Sequence, residues 1–213
     1  MNIEEILVDK LNTHTAFCGY NFRFGKDAVG NTELLTKEMK KRGRSTVTVP
    51  ELRENGVPVS SSMIRNLLSE KDLSYAARLL GKPFFADGKV SHGLGLGKKL
   101  GIPTVNIELK KDKFSLPNGV YFTVVKIGEK LYSGITNVGV CPTFDAREVH
   151  AETFIFDFDE SIYNADIRLY FIEFLRDEIK FSSENDLIMQ INIDKNRALE
   201  LSKEIKWLEI GLN

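Results

Sequence analysis

Cysteine, histidine and unbalanced charge are all scarce in this sequence of 213 residues. The two cysteines, Cys18 and Cys141, lie far apart with no Cys-x-x-Cys or Cys/His spacing, which argues against a disulfide framework or zinc site and leaves unpaired thiols as the expectation. The three histidines, His14, His92 and His150, are scattered. No run approaches the roughly 18 apolar residues of a membrane-spanning helix. Met1-Asn2-Ile3-Glu4-Glu5 is acidic where a secretory signal is basic, so a cytoplasmic protein is expected. The formal net charge is −1, with twelve basic against ten acidic residues up to position 80 and seventeen against twenty beyond it. A broad basic face for nucleic acid is therefore not expected. What is present is 42% hydrophobic residues, enough for a core, in a length between one and two domains.

Up to position 80 the pattern alternates between helix and strand. Ile3, Ile6, Leu7 and Leu11 recur at helical spacing, Thr15 to Gly19 reads as a strand, a polar helix follows near Thr32 to Arg42, and the β-branched run Ser45 to Val49 ends at Pro50. That order is typical of an α/β domain with a parallel sheet. Ser60-Ser61-Ser62 caps a short helix, and a second helix with Leu73, Ala76, Ala77 and Leu80 on one face stops at Gly81. After Pro83 the period becomes that of strands, which places the expected domain boundary between residues 80 and 81. Gly119 to Ile127 and Leu131 to Val138 flank a short glycine loop as a hairpin, with further strands over His150 to Phe158 and Asp166 to Phe174. Ser183 with Asp186 approximates a capping box before an apolar stripe of Leu187, Ile191, Ala198, Leu201 and Ile205. The expectation is a small antiparallel barrel closed by one long C-terminal helix.

Three features of the second region carry chemistry. Gly88, Gly93, Gly95, Gly97 and Gly101 place five glycines in fourteen positions, with Lys98 and Lys99 adjacent. Glycines let backbone N–H groups turn toward an anion, so the stretch suits a polyphosphate, although its spacing is not that of a Walker P-loop. The same composition also suits a flexible hairpin with a solvated charge pair. Ile102-Pro103-Thr104-Val105-Asn106 follows; alternation puts Thr104 and Asn106 on one strand face, as a magnesium-binding oxygen pair or an ordinary polar pair. Glu152 alternates with Phe154 and Phe156, where an ionised carboxylate is costly unless it is used, as a base for instance, or sits at a strand end.

In this order, the three features resemble the riboflavin kinase module of bacterial bifunctional riboflavin kinase/FMN adenylyltransferases. Gly88 through Asn106 is similar to that family's G-x-V-x-x-G-x-x-x-G-R/K-x-L-G-x-P-T-x-N stretch, with Lys98 where arginine is commoner and Val105 where alanine is usual. Asn137-Val138-Gly139-Val140-Cys141-Pro142-Thr143-Phe144 resembles its N-x-G-x-x-P-T-F turn, and Leu175-Arg176-Asp177-Glu178-Ile179-Lys180-Phe181 its L-R-x-E-x-K-F segment. The resemblance implies ATP binding by Gly88, Gly93, Gly95, Gly97, Lys98, Lys99, Thr104 and Asn106, with Mg²⁺ or a similar divalent ion on Thr104 and Asn106. It implies Glu152 as the base on the ribityl hydroxyl and Asn137, Arg176 and Phe181 near the flavin. Riboflavin and ATP are then the substrates, and FMN the product.

Residues 1 to 80 resemble the second half of the family's Rossmann-like adenylyltransferase domain. Gly19-Tyr20-Asn21-Phe22-Arg23-Phe24-Gly25 matches G-[FY]-[DN]-F-R-F-G, and Val59-Ser60-Ser61-Ser62-Met63-Ile64-Arg65 matches I-S-S-T-x-I-R. The resemblance implies a residual phosphate site of Asn21, Arg23, Ser60, Ser61, Ser62 and Arg65. The family's G-x-F-D-G-x-H-x-G-H motif has no counterpart in these residues, so FAD formation is expected to be absent or weak. A partial parallel sheet is expected to favour dimerisation, a covering partner, or disorder. The fold expectation is α+β in two domains, an incomplete α/β domain over 1 to 80 and a kinase barrel over 81 to 213. The rival readings are an FAD synthetase of both activities and a non-catalytic flavin-binding regulatory module.

Overall fold

Helical spacing at the start of the chain yields a wide π-type segment, Glu4–Lys10. The Leu11 N–H reaches five residues back to Ile6 O at 3.0 Å, which makes the turn broader than the expected α-helix. The computed structural model describes residues 4–91, 102–109, 116–143 and 146–204. They fall into two units, Met1–Val59 and Ser60–Asn213.

In the first unit, β1 (Thr15–Gly19) and β2 (Ser45–Val49) pair in parallel, with helix α1 (Thr32–Lys40) between them. Asn31 caps α1 by accepting from Leu34 N at 2.9 Å. Leu35 and Met39 are buried against Ala16, Cys18, Phe22 and Phe24, and Cys18 is an unpaired thiol, as expected. The opposite sheet face carries Phe17, Val47 and Val49, exposed at 73%, 42% and 52%. A two-residue ladder, β3 (Arg53–Glu54) with β4 (Val57–Pro58), ends the unit.

The second unit begins with α2 (Ser61–Ser69) and α3 (Leu73–Leu80). Ser60 Oγ accepts from Met63 N at 3.2 Å, and Gly81 closes α3 at φ 72°, a left-handed conformation that suits glycine. Leu68, Leu73 and Ala76 are buried in the same apolar cluster as the strands that follow. This burial groups residues 60 to 80 with the barrel, upstream of the boundary expected at Gly81 from the change in period.

Among the described residues six antiparallel strands close this barrel, in the order β10-β5-β6-β9-β8-β7. They are β5 (Phe84–Ser91), β6 (Thr104–Leu109), β7 (Gly119–Ile127), β8 (Lys130–Thr143), β9 (Ala146–Ile155) and β10 (Asp166–Arg176). The hairpin turns at Gly128 and Glu129, with Gly128 at φ 57°. Strand β9 stops at Ile155, short of the expected Phe158, where Asp157 adopts φ 51°. Side chains alternate across the wall. Val90, Ile107, Val125, Val138, Ala151 and Leu169 fill the interior, which also holds a line of buried hydroxyls, Thr123 to Thr136 at 2.8 Å and Thr136 to Thr153 at 2.9 Å. Val120, Phe122, Ile135 and Phe156 face outward against Ala198 of α4 (Glu184–Glu204). Ser183 caps this helix by accepting from Asp186 N at 3.1 Å. Ile205 of the expected stripe lies outside the described residues.

Candidate active site

The antiparallel register lines up residues from distant parts of the sequence along one hoop of the barrel. Ser91 pairs with Asn106, Asn106 with Glu152, Glu152 with Asn137, Asn137 with Val120, and Val120 with Arg176. Glu152 sits between the inward-facing Ala151 and Thr153, so it faces out of the barrel, as do Phe154 and Phe156. The carboxylate is exposed. The apolar surroundings expected from Phe154 and Phe156 therefore do not enclose it, because both rings turn toward α4.

Thr104 stands on the neighbouring strand two residues from Asn106, the register partner of Glu152, and its Oγ1 donates to Glu152 Oε1 at 2.6 Å. Forty-eight residues separate these partners in sequence. A threonine hydroxyl that gives its proton to a carboxylate keeps lone pairs on the same oxygen. With the Asn106 amide two positions on, this makes a hard-oxygen donor set that suits magnesium, an ion that retains waters and phosphate oxygens. No cluster of three or more His, Cys, Asp or Glu among the described residues forms an alternative metal site. Gly88 lies in β5, paired with Leu109 and Ile167. Gly93, Gly95, Gly97, Lys98 and Lys99 lie outside the described residues.

Arg176 ends the hoop, engaged with the last helix. Its Nε and Nη2 bind Asp194 of α4 at 2.9 and 2.8 Å, and its Nη1 donates to Asp177 O at 2.9 Å. Asp194 is 4% exposed and also accepts from Gln190. The guanidinium thus docks the last helix on the barrel, and it stands 5.9 Å from the Phe181 ring. Three carboxylates escape a reading by residue type. Asp194 is the buried anchor of Arg176. Glu178 receives a hydrogen bond from Asn118 at 3.2 Å; its place in the L-R-x-E-x-K-F segment was the available signal. Glu173 on β10 has its pKa raised chiefly by burial, against the attraction of Arg197 and with the repulsion of Asp72.

Ser60 to Arg65 belong to one unit, and Asn21 and Arg23 to the other. Asn21, Arg23, Ser60, Ser61, Ser62 and Arg65 are exposed, and the Ser60 hydroxyl is used as the cap of α2. A shallow groove on α1, lined by Thr32, Glu33, Thr36, Lys37, Lys40 and Thr48, includes none of the expected site residues.

Comparison with known proteins bears on the same regions. A family model for riboflavin kinase matches residues 80–202, and one for FAD synthetase matches residues 2–63. The bifunctional riboflavin kinase/FMN adenylyltransferase of Pseudomonas fluorescens is 35% identical over 94% of this chain and 64% of its own length. That of Bacillus subtilis is 32% identical over 92% of this chain and 63% of its own length. The chain therefore spans less than two thirds of the relatives it matches. A crystal structure of a macrolide-efflux protein from Streptococcus pneumoniae has a TM-score of 0.79 at 29% identity, covering 91% of this chain and 62% of that one. Among the described residues of this chain no helix is long and apolar enough to cross a membrane.

Proposed function

The chain belongs to the riboflavin kinase family, and on that premise we propose that it transfers the γ-phosphoryl group of ATP to the terminal ribityl hydroxyl of riboflavin, giving FMN and ADP. The observation that carries this reading is the 2.6 Å hydrogen bond from Thr104 to Glu152. It supports a phosphate-side oxygen and a proton acceptor working within one side chain's reach. Glu152 takes the proton of the attacking hydroxyl; the hydroxyl oxygen forms the new bond to phosphorus as the bond to ADP breaks. A divalent cation on Thr104 and Asn106, for which we favour Mg²⁺, supplies neutralising charge to the triphosphate. Thr104 and Asn106 orient the phosphate side, and the glycine-rich stretch with Lys98 and Lys99 cradles the remaining phosphates. Asn137 and Phe181 border the flavin, with Arg176 holding Phe181 and the last helix in place.

Incubation with riboflavin, ATP and Mg²⁺, followed by separation of flavins and nucleotides, tests the proposal. Equal amounts of FMN and ADP are expected, with FAD absent or in traces. Bound riboflavin without ADP would make the protein a flavin-binding module and overturn the kinase reading. Substantial FAD would overturn the expectation that adenylyl transfer is absent or weak.

A further inference from the structure

Lys195 of α4 is partly buried against the outer wall of the barrel, with Nζ 5.4 Å from the Phe156 ring centroid and 5.7 Å from that of Phe154. The two rings meet at 66° with centroids 5.6 Å apart, so they form one aromatic shelf beside the ammonium. Among the described residues this ammonium pairs with no carboxylate. Its own helix offers none: one turn to either side lie Ile191, Asn192, Ala198 and Leu199, and the adjacent Asp194 is engaged by Arg176 and Gln190. A partly buried charge without a counter-ion is placed to meet an anion that the protein itself does not supply.

The shelf borders the phosphate side of the site. Phe154 is the register partner of Thr104, and Thr104 Oγ1 bonds Glu152 on the outer face. Thr104 on β6, Phe154 on β9 and Lys195 on α4 therefore follow one another across the outer surface. Glu152 brings negative charge to the place where a triphosphate must dock, and a cation on the α4 side offsets it. Resting on the kinase reading above, we propose that Lys195 is a nucleotide-binding residue, whose ammonium donates to terminal phosphate oxygens of ATP from the α4 side while Thr104 and Asn106 hold them from the β6 side. The aromatic shelf keeps the ammonium on that line.

Calorimetric titration of the full chain with the Mg²⁺ complex of a non-hydrolysable imido analogue of ATP, and with AMP, which lacks the terminal phosphates, tests the assignment. Lys195→Met keeps the apolar stem on the rings; it should weaken the triphosphate about tenfold, as loss of one charge-assisted hydrogen bond does, and leave AMP binding unchanged. Lys195→Arg retains the charge and should lose no more than about threefold. Lys195→Gln carries the comparison if the methionine variant does not fold. A lower melting temperature with unchanged triphosphate affinity would make Lys195 only a clamp of the last helix and overturn the proposal. Equal losses for both nucleotides, or a wild type that binds no triphosphate, would overturn it too. Triphosphate binding that depends on Lys195, without FMN formation from riboflavin and ATP, would instead sink the kinase reading and leave the phosphate contact standing.

Discussion

Glu152 carries two oxygens with different duties. Oε1 accepts from Thr104, and in the proposed reaction Oε2 would take the substrate proton. Glutamine at this position keeps an oxygen for Thr104 but cannot take a proton. Glu152→Gln should therefore retain its melting temperature and lose about 10²- to 10⁴-fold in kcat for FMN formation; unchanged turnover would remove the base. Glu173 offers a second test. Its folded-state pKa is raised chiefly by burial, so between its unfolded and folded pKa values the native state binds more protons, and stability falls as pH rises through that window. Glu173→Gln should flatten this dependence and raise the neutral-pH melting temperature by about a degree or two. Thermal melts of both proteins across that window decide it. Glu152 and Thr104 were legible in sequence because alternation fixes which face a strand residue occupies. The exposure of Glu152 was not, since it depends on where α4 lies.

At the scale of elements, an ion pair in a nearly dry setting helps to hold the last helix, beside its apolar packing on the barrel. Arg176 and Asp194 side chains are 17% and 5% exposed, and removing one partner leaves the other charge buried and unpaired. Asp194→Ala should cost about 3 kcal/mol in urea unfolding, whereas Arg176→Met with Asp194→Leu together should recover most of that loss. If the double variant were as unstable as the single, packing rather than charge would explain the effect. Helix caps were readable because Ser60, Gly81 and Ser183 act on backbone groups a few residues away. The Arg176 to Asp194 contact joins two elements whose approach no local pattern specifies. The end of β9 was misplaced for a related reason: Phe156 and Phe158 continue the alternation, but the backbone turns at Asp157.

For the whole molecule, two units with very different cores imply two different stabilities. The buried core of Met1–Val59 rests on Leu35 and Met39 among the described residues, whereas the second unit encloses a barrel. A small core supports little net stability. Calorimetry of the full chain should resolve two transitions, the N-terminal unit melting first. Riboflavin with Mg²⁺-ATP should raise only the second, by about 2.7 kcal/mol of stabilisation at a hundredfold excess over Kd. A single transition shifted as one would count against independent units. The change of period at Pro83 made two folds legible in the sequence, and the kinase family match begins at residue 80; the packing of residues 60 to 80 on the barrel was not legible. Their helical pattern shows that one face is buried and not which surface buries it.

The alternation along β9 has a consequence for how this chain can vary. Ala151 and Thr153 point into the barrel and Glu152 points out, so the strand behaves as a two-phase code. An insertion of one residue ahead of Glu152 inverts the phase, sending the carboxylate into the apolar interior and an interior side chain to the substrate. An insertion of two residues restores the phase and merely slides the hoop along its neighbours. Length variation in this strand should therefore be tolerated, if at all, in even steps, whereas the chain's turns carry no such parity.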